Sequence, residues 1–325
     1  MRHIAILAFE NTMQSSITGP FDIFSVASLE WRKQYPESED SLFSPKIVTD
    51  GGKPATCFNG AVITPHMAAQ ELHPVDIIFI PVIYGDVAPV LENGRCLDWL
   101  TCRADQGAMV CAVCAGVFLV AAAGLLDGRI ATTHWALADD FSSRFPDVTL
   151  KKEKMIVDEG DVITAGGVTA YMDLALHLTA RFGSPEFAAF LSKILLIDPA
   201  RRSQAPYTAF DMNTAHGDRS ILKAQDWMAR NLTARVDVAA LSGISGLTER
   251  TFARRFRRAT GDTPMEYLQQ LRIGRARTLL ETTGDPVDTI TWAVGYEDVS
   301  SFRRLFKRMT GMSPTAYRRK FSLCE

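Results

Sequence analysis

Two groups of side chains in this 325-residue chain could do chemistry. One centres on Cys114. In Met109-Val110-Cys111-Ala112-Val113-Cys114-Ala115-Gly116 an apolar run ends at a cysteine and passes into small residues. That pattern reads as a strand, a sharp turn and a helix. A thiol at such an elbow stands at the carboxyl edge of a sheet, with helix N–H groups beside it to lower its pKa. His134 closes Ala131-Thr132-Thr133-His134 and is placed to reach the same edge. Asp22, in Gly19-Pro20-Phe21-Asp22 after the first strand, offers a carboxylate. Cys114, His134, Asp22, Gly19 and Gly116 therefore form a candidate pocket for a small molecule. The plainer reading is a small buried cysteine retained for the turn. Cys111 and Cys114 also form a C-x-x-C, a redox spacing, although side chains three apart across a strand-to-turn transition should diverge.

The second group is a set of cations on a repeated segment. Thr251-Phe252-Ala253-Arg254-Arg255-Phe256-Arg257-Arg258-Ala259-Thr260-Gly261 recurs fifty positions later as Ser301-Phe302-Arg303-Arg304-Leu305-Phe306-Lys307-Arg308-Met309-Thr310-Gly311. Phe252 and Phe256 are four apart, as are Phe302 and Phe306, so each pair stacks on one helix face and belongs to a core. The other face carries Arg250, Arg254 and Arg257 in the first copy, and Ser300, Arg303, Arg304 and Lys307 in the second. Arg is shaped for a bidentate grip on guanine, and Lys or Arg for phosphate. Upstream lie an apolar stripe and a glycine turn: Val238, Leu241 and Gly246 in one copy, Val287, Ile290, Val294 and Gly295 in the other. Thr248 or Glu249, and Asp298, start the helices that follow. Two helices joined by a short glycine turn are the arrangement that lays its second helix in the major groove of DNA.

Charge divides the chain at the same place. From Asp218 onward there are 19 Lys and Arg against 12 Asp and Glu, a net of +7; the residues before it hold 16 against 25, a net of −9. A basic patch confined to one domain is the footprint of a nucleic-acid binder. Six cysteines without framework spacing suit a reducing cytoplasm. No signal-peptide pattern opens the chain. The apolar stretch Ala108–Leu126 contains two glycines and reads as a buried strand and helix rather than a membrane span. His66, His73, His177 and His216 have no metal-ligand spacing with the cysteines, so neither a metal nor another cofactor is expected.

The elements that must position these residues follow from periodicity. Ile4–Phe9, Lys46–Thr49, Asp76–Val82, Met109–Val113 and Arg129–Thr133 read as strands. Met155–Val157 and Val162–Thr164 read as a hairpin pair around an acidic turn. Phe21–Leu29, a segment from about Gly116, Thr169–Arg181 and Pro185–Leu196 read as helices. Alternating strands and helices predict an α/β domain over residues 1–197, flavodoxin-like, with a mostly parallel sheet. Residues 198–217, with two prolines and no periodicity, read as an extended, mobile linker. Residues 218–325 read as an all-α domain of two helix-turn-helix modules.

Residues 218–322 resemble the DNA-binding domain of the arabinose-operon-regulator (AraC/XylS-type) family. The matching text is Leu271-Arg272-Ile273-Gly274-Arg275-Ala276-Arg277-Thr278-Leu279-Leu280, Ile290-Thr291-Trp292-Ala293-Val294-Gly295-Tyr296 and Thr310-Gly311-Met312-Ser313-Pro314-Thr315-Ala316-Tyr317-Arg318, with the repeated helices. The resemblance implies that both second helices enter one face of the duplex. It makes Arg250, Ala253, Arg254 and Arg257, and Val299, Ser300, Arg303 and Arg304, candidate DNA contacts. Residues 3–185 are similar to the PfpI-type branch of the class I glutamine-amidotransferase-like superfamily, on Ala-Val-Cys-Ala-Gly and Ala-Thr-Thr-His. There Cys114 falls at the elbow cysteine, His134 at its histidine and Asp22 near its acidic partner. The combination resembles the GlxA-type transcriptional regulators, whose N-terminal domain implies sensing and dimerisation rather than hydrolysis.

The reading is a cytoplasmic, homodimeric transcription regulator binding double-stranded DNA. It is an activator, with RNA polymerase as partner, controlled by a small-molecule effector. Two alternatives stay open: a cysteine hydrolase, amidase or glyoxalase-like enzyme at Cys114 fused to a DNA-binding domain, and a redox sensor using Cys111 and Cys114.

Overall fold

Runs of β-branched and aliphatic residues become the strands of a seven-stranded sheet in the computed structural model, which describes residues 1–37, 40–210 and 212–322. Cys324 lies outside the described residues. The strands are β1 (Arg2–Leu7), β2 (Phe43–Thr49), β3 (Met67–Ala68), β4 (Ile77–Ile80), β5 (Met109–Val113), β6 (Ile156–Asp158) and β7 (Val162–Ala165). Their order across the sheet is β6-β7-β5-β4-β1-β2-β3, and every pairing is parallel except β6 with β7. Ile77, Ile78, Phe79 and Ile80 are all buried, as a central strand covered on both faces requires.

One face is covered by α1 (Ser15–Gln34), α3 (Ala170–Phe182) and α4 (Pro185–Ile194), through Ile17, Phe24, Leu174, Phe187 and Leu191. The other is covered by α2 (Gly116–Ala122) and the helices Gly94–Asp105 and Ala138–Arg144, through Val117, Phe118, Trp99, Leu100 and Phe141. The expected α/β layering with a mostly parallel sheet is present.

Three local expectations differ. The helix expected from Phe21 starts earlier: Gly19-Pro20-Phe21-Asp22 lies inside α1, with Pro20 buried and Asp22 exposed. Gly19 is there because α1 crosses Tyr171 of α3 so closely that a Cβ would overlap the tyrosine ring. Arg129–Thr133 is not a strand of the main sheet. Only Ile130–Ala131 is extended, and it pairs with Thr149–Leu150 in a separate ribbon. Finally, the structure divides the chain into Met1–Gln204 and Ala205–Glu325, so residues 198–204 belong to the first unit. Arg201 holds the buried Asp173 carboxylate and donates to the Thr169 carbonyl at 3.1 Å and hydroxyl at 2.9 Å.

The second unit is helical: α5 (Arg219–Arg230), α6 (Val238–Ser245), α7 (Glu249–Thr260), α8 (Pro264–Thr282), α9 (Val287–Ala293), α10 (Val299–Thr310) and α11 (Pro314–Phe321). It has two cores. Ile221, Met228, Leu241, Phe252, Phe256 and Tyr267 form one; Ile273, Leu280, Ile290, Phe302, Phe306 and Tyr317 form the other. The long α8 contributes its first half to the first core and its second half to the second. Among the described residues no helix is long and apolar enough to cross a membrane.

Candidate functional sites

At the elbow, Cys114 has φ 55, a left-handed conformation that costs a residue with a Cβ about 1–2 kcal/mol. Its surroundings hold it there. Cys114 N–H donates to the Ala165 carbonyl at 2.8 Å, and its carbonyl accepts from Thr133 Oγ1 at 2.7 Å. Gly116 is required two residues on, because a Cβ there would stand 2.5 Å from the Pro81 carbonyl oxygen. The turn thus wedges against the chain leaving β4.

Cys114 and His134 line one cavity of about 340 Å³ together with Val82–Val87, Phe118, Leu137, Asp140, Arg144 and Val168. The structure brings these two residues and the Gly116 turn together at the carboxyl edge of the sheet, where ligands of such folds bind. Asp22 and Gly19 are not among the lining residues. The cavity's carboxylates come instead from Asp86 and Asp140, and its cation from Arg144, which pairs with Asp140 at 2.9 Å. Sequence reasoning missed all three, because they sit on a loop and a short helix without a motif.

The chemistry at Cys114 also departs from expectation. The helix was expected to lower the thiol pKa; burial instead pushes it up to about 12, and the Ala115 N–H offsets only part of this. Cys114 is 5% exposed, and desolvation makes the thiolate the less stable form. Burial likewise lowers the His134 pKa, leaving a neutral ring whose Nδ1 accepts from Ala136 N–H at 3.1 Å. A thiol and an imidazole held neutral are not the thiolate–imidazolium ion pair of an activated cysteine nucleophile. Cys111 is wholly buried, and both it and Cys114 are free thiols.

Gln204, which no motif flagged, is fixed beside this edge. It is 2% exposed. Its Oε1 accepts from Trp135 N–H at 3.2 Å, and its Nε2 lies 2.8–3.2 Å from Thr132 Oγ1 and the carbonyls of Thr133, Lys152 and Lys154. Gly166 makes room for the amide. The last residue of the first unit is therefore bonded to the loop that carries His134. In the second unit, Arg277 donates to the carbonyls of Ala205 and Thr208, so the chain immediately after Gln204 is also tied down.

In the second unit the repeat extends to side-chain geometry. Phe256 meets Tyr267 at 5.3 Å and 84°, and Phe306 meets Tyr317 at 5.4 Å and 85°. Gly246 and Gly295 end α6 and α9 with φ 67 and 84, a region open to glycine at little cost. Asp298 caps α10, accepting from Ser300 and Ser301 N–H. With the phenylalanines turned inward, α7 exposes Arg250, Arg254 and Arg257, and α10 exposes Ser300, Arg303, Arg304 and Lys307, with Val299 half-buried. Among the described residues Arg250, Arg254, Arg257 and Lys307 form no ion pair. Arg255, by contrast, turns back to Asp218 at 2.6 Å. Ala253 lies in a groove of about 560 Å³ beside Val238, Arg254, Arg257 and Arg258. Uncompensated cations on a rigid helix are what a phosphate backbone attracts.

Fold and sites together define a doubly wound α/β unit with an elbow cysteine, followed by a paired helix-turn-helix unit. Residues 2–181 match the DJ-1/PfpI family and residues 241–320 match a helix-turn-helix domain; the chain belongs to the DJ-1/PfpI family and carries an AraC-type helix-turn-helix domain. It is 28% identical over 276 residues to the HTH-type transcriptional regulator CdhR of Pseudomonas aeruginosa, spanning 84% of this chain and 81% of that one. It is 26% identical over 243 residues to the HTH-type transcriptional regulator GlxA of Rhizobium meliloti, 71% of this chain and 74% of that one. It is 31% identical over 197 residues to isonitrile hydratase of Pseudomonas putida, 61% of this chain and 79% of the enzyme.

Proposed function

We propose that this chain is a DNA-binding transcription regulator whose first unit binds a small-molecule effector in the Cys114–His134 cavity. The observation that carries the DNA-binding part is the duplicated helix: two copies of one module, each hiding its Phe pair and presenting unpaired cations. On this reading α7 and α10 enter the major groove, with Arg250, Arg254 and Arg257, and Val299, Ser300, Arg303, Arg304 and Lys307, facing DNA. Resemblance to CdhR and GlxA in both units supports regulation; dimerisation through the first unit, contact with RNA polymerase as an activator and a cytoplasmic site of action belong to the same proposal. Residues 1–204 are then the sensor and 218–325 the reader, with 205–217 connecting them. In this scheme a ligand displacing the Thr132–Trp135 backbone would disturb the Gln204 bonds at the end of the first unit.

Genome-wide occupancy of the tagged protein tests the reading. Discrete sites upstream of a small set of genes are expected, with occupancy lost in Arg254→Ala/Arg304→Ala. Uniform, salt-labile binding without discrete sites would overturn it. The likeness to isonitrile hydratase favours a second reading, cysteine catalysis. The raised thiol pKa speaks against it, and turnover of an isonitrile that disappears in Cys114→Ala would establish it.

A further inference from the structure

The two modules align with one insertion. Leu241, Ser242, Ser245 and Gly246 correspond to Ile290, Thr291, Val294 and Gly295 at a spacing of forty-nine, and from the caps Thr248 and Asp298 onward the spacing is fifty. The buried pattern agrees: Leu241 with Ile290, Ser242 with Thr291, Phe252 with Phe302 and Phe256 with Phe306 are all buried. In this register Asp288 falls on Ala239 and Arg303 falls on Ala253. Asp288 and Arg303 are partners: an Arg303 guanidinium nitrogen donates to Asp288 Oδ1 at 3.0 Å, from α10 back to the first turn of α9. The first module lacks both members of the pair, with alanine at each aligned position. On that flank it has the groove floored by Val238 and Ala253 instead.

An exposed ion pair contributes little to stability, and about half of each side chain is in solvent, so folding alone is a poor reason for it. Its geometric effect is larger. A free arginine samples many rotamers, and a bidentate bond to guanine O6 and N7 requires one guanidinium plane. Asp288 takes one of five N–H donors and fixes the fork, leaving the others for a base edge. An alanine at the aligned position has no donor, and its methyl suits the C5-methyl of thymine.

We propose that Asp288 is a positioning residue that sets Arg303 to read guanine, and that the first module, with Ala239 and Ala253, meets a thymine methyl at the equivalent position. The two halves of the operator are then unlike, and the protein binds it in one direction. This rests on the DNA-binding reading above.

Selection of duplexes from a random pool by the full-length protein, followed by titration of the selected duplex, tests it. Wild type should select a directional sequence with a guanine column that disappears in Arg303→Ala, with affinity falling roughly fivefold to a hundredfold. Asp288→Asn should weaken that guanine preference about twofold to tenfold and leave the other columns unchanged, while binding to unrelated DNA stays equal or tightens because a negative charge has gone. Replacing the thymine of the first element by deoxyuracil should weaken binding about two- to fourfold. Ala239→Asp/Ala253→Arg should transplant a guanine column into the first element. If Asp288→Asn strengthens all sequences alike, or leaves the column intact, Asp288 is only a charge and the positioning role fails. If Arg303→Ala leaves every column in place, guanine reading fails. If deoxyuracil binds as well as thymine, the methyl contact fails. Selection of no sequence by wild type would instead sink the DNA-binding reading itself.

Discussion

The two units treat their chemistry-bearing residues in opposite ways. The first buries them: Cys114 is held at a left-handed turn, its thiol kept neutral, its neighbour His134 neutral as well. The second exposes them: Arg250, Arg254, Arg257 and Lys307 stand in solvent on rigid helices without ion-pair partners among the described residues. A buried polar group contributes by being satisfied and placed; an exposed cation contributes only when a partner of opposite charge arrives. On the proposed function, the first unit is the one altered by what enters it, and the second acts on what lies outside it.

The largest effects should separate the two cores of the second unit. Phe256→Ala and Phe306→Ala each remove a fully buried ring, and each should cost about 3–5 kcal/mol. Hydrogen exchange should show protection lost mainly in α5–α7 for the first variant and in α9–α11 for the second. Equal loss across both modules in either variant would mean that α8 welds them into one cooperative core.

Gln204→Ala comes next, acting on the first unit. It strands Trp135 N–H and removes the donor shared by four acceptors, at about 2–4 kcal/mol on the scale of buried groups left unpaired. Urea unfolding of the full chain should show the loss in the transition of the first unit. Limited proteolysis should then open the chain after Arg201 or Arg202 more readily than in wild type.

These two predictions mark what could be read from the sequence. The repeated module was legible to the level of caps and ring pairs, because two copies of one pattern correct each other and Asp298, Gly246 and Phe252 are residues with one strong local preference. In the first unit the strands were legible from continuous apolar runs. The start of α1 was not: Gly19-Pro20 reads locally as a breaker, and only the crowding against Tyr171 explains a glycine there. Gln204 was read as part of a loose linker because one polar residue between prolines has no periodicity; its partners are more than forty positions away in sequence. The direction of the Cys114 pKa was misread for a similar reason. A short helix is visible in sequence, and the desolvation that outweighs it is not.

Smaller and specific to the second unit, Arg254→Ala and Arg304→Ala should each cost about 1–3 kcal/mol in affinity for the cognate duplex and reduce its salt dependence if the contact is to phosphate. Because both side chains are exposed, the melting temperature should stay within a degree or two of wild type. A variant that loses binding only by unfolding would refute the assignment of these faces.

The smallest effect at neutral pH belongs to Cys114. With its pKa pushed up to about 12 from an ordinary 9.0, roughly one thiol in ten thousand is ionised at pH 8, against about one in ten for an unperturbed cysteine. Iodoacetamide should therefore label exposed Cys102 first and Cys114 far more slowly, with the Cys114 rate rising about tenfold per pH unit between 7 and 9. Linkage gives a second readout. The folded thiol keeps its proton where the unfolded one loses it, so unfolding releases protons above about pH 9. The stability contributed by burying Cys114 is fully present below that pH and is lost as the pH climbs toward 12. Cys114→Ser should flatten that part of the stability profile while leaving DNA affinity in the absence of ligand unchanged. Labelling of Cys114 at pH 7 as fast as Cys102 would show a thiolate at the elbow, and the contrast between a silent first unit and an exposed second one would fall with it.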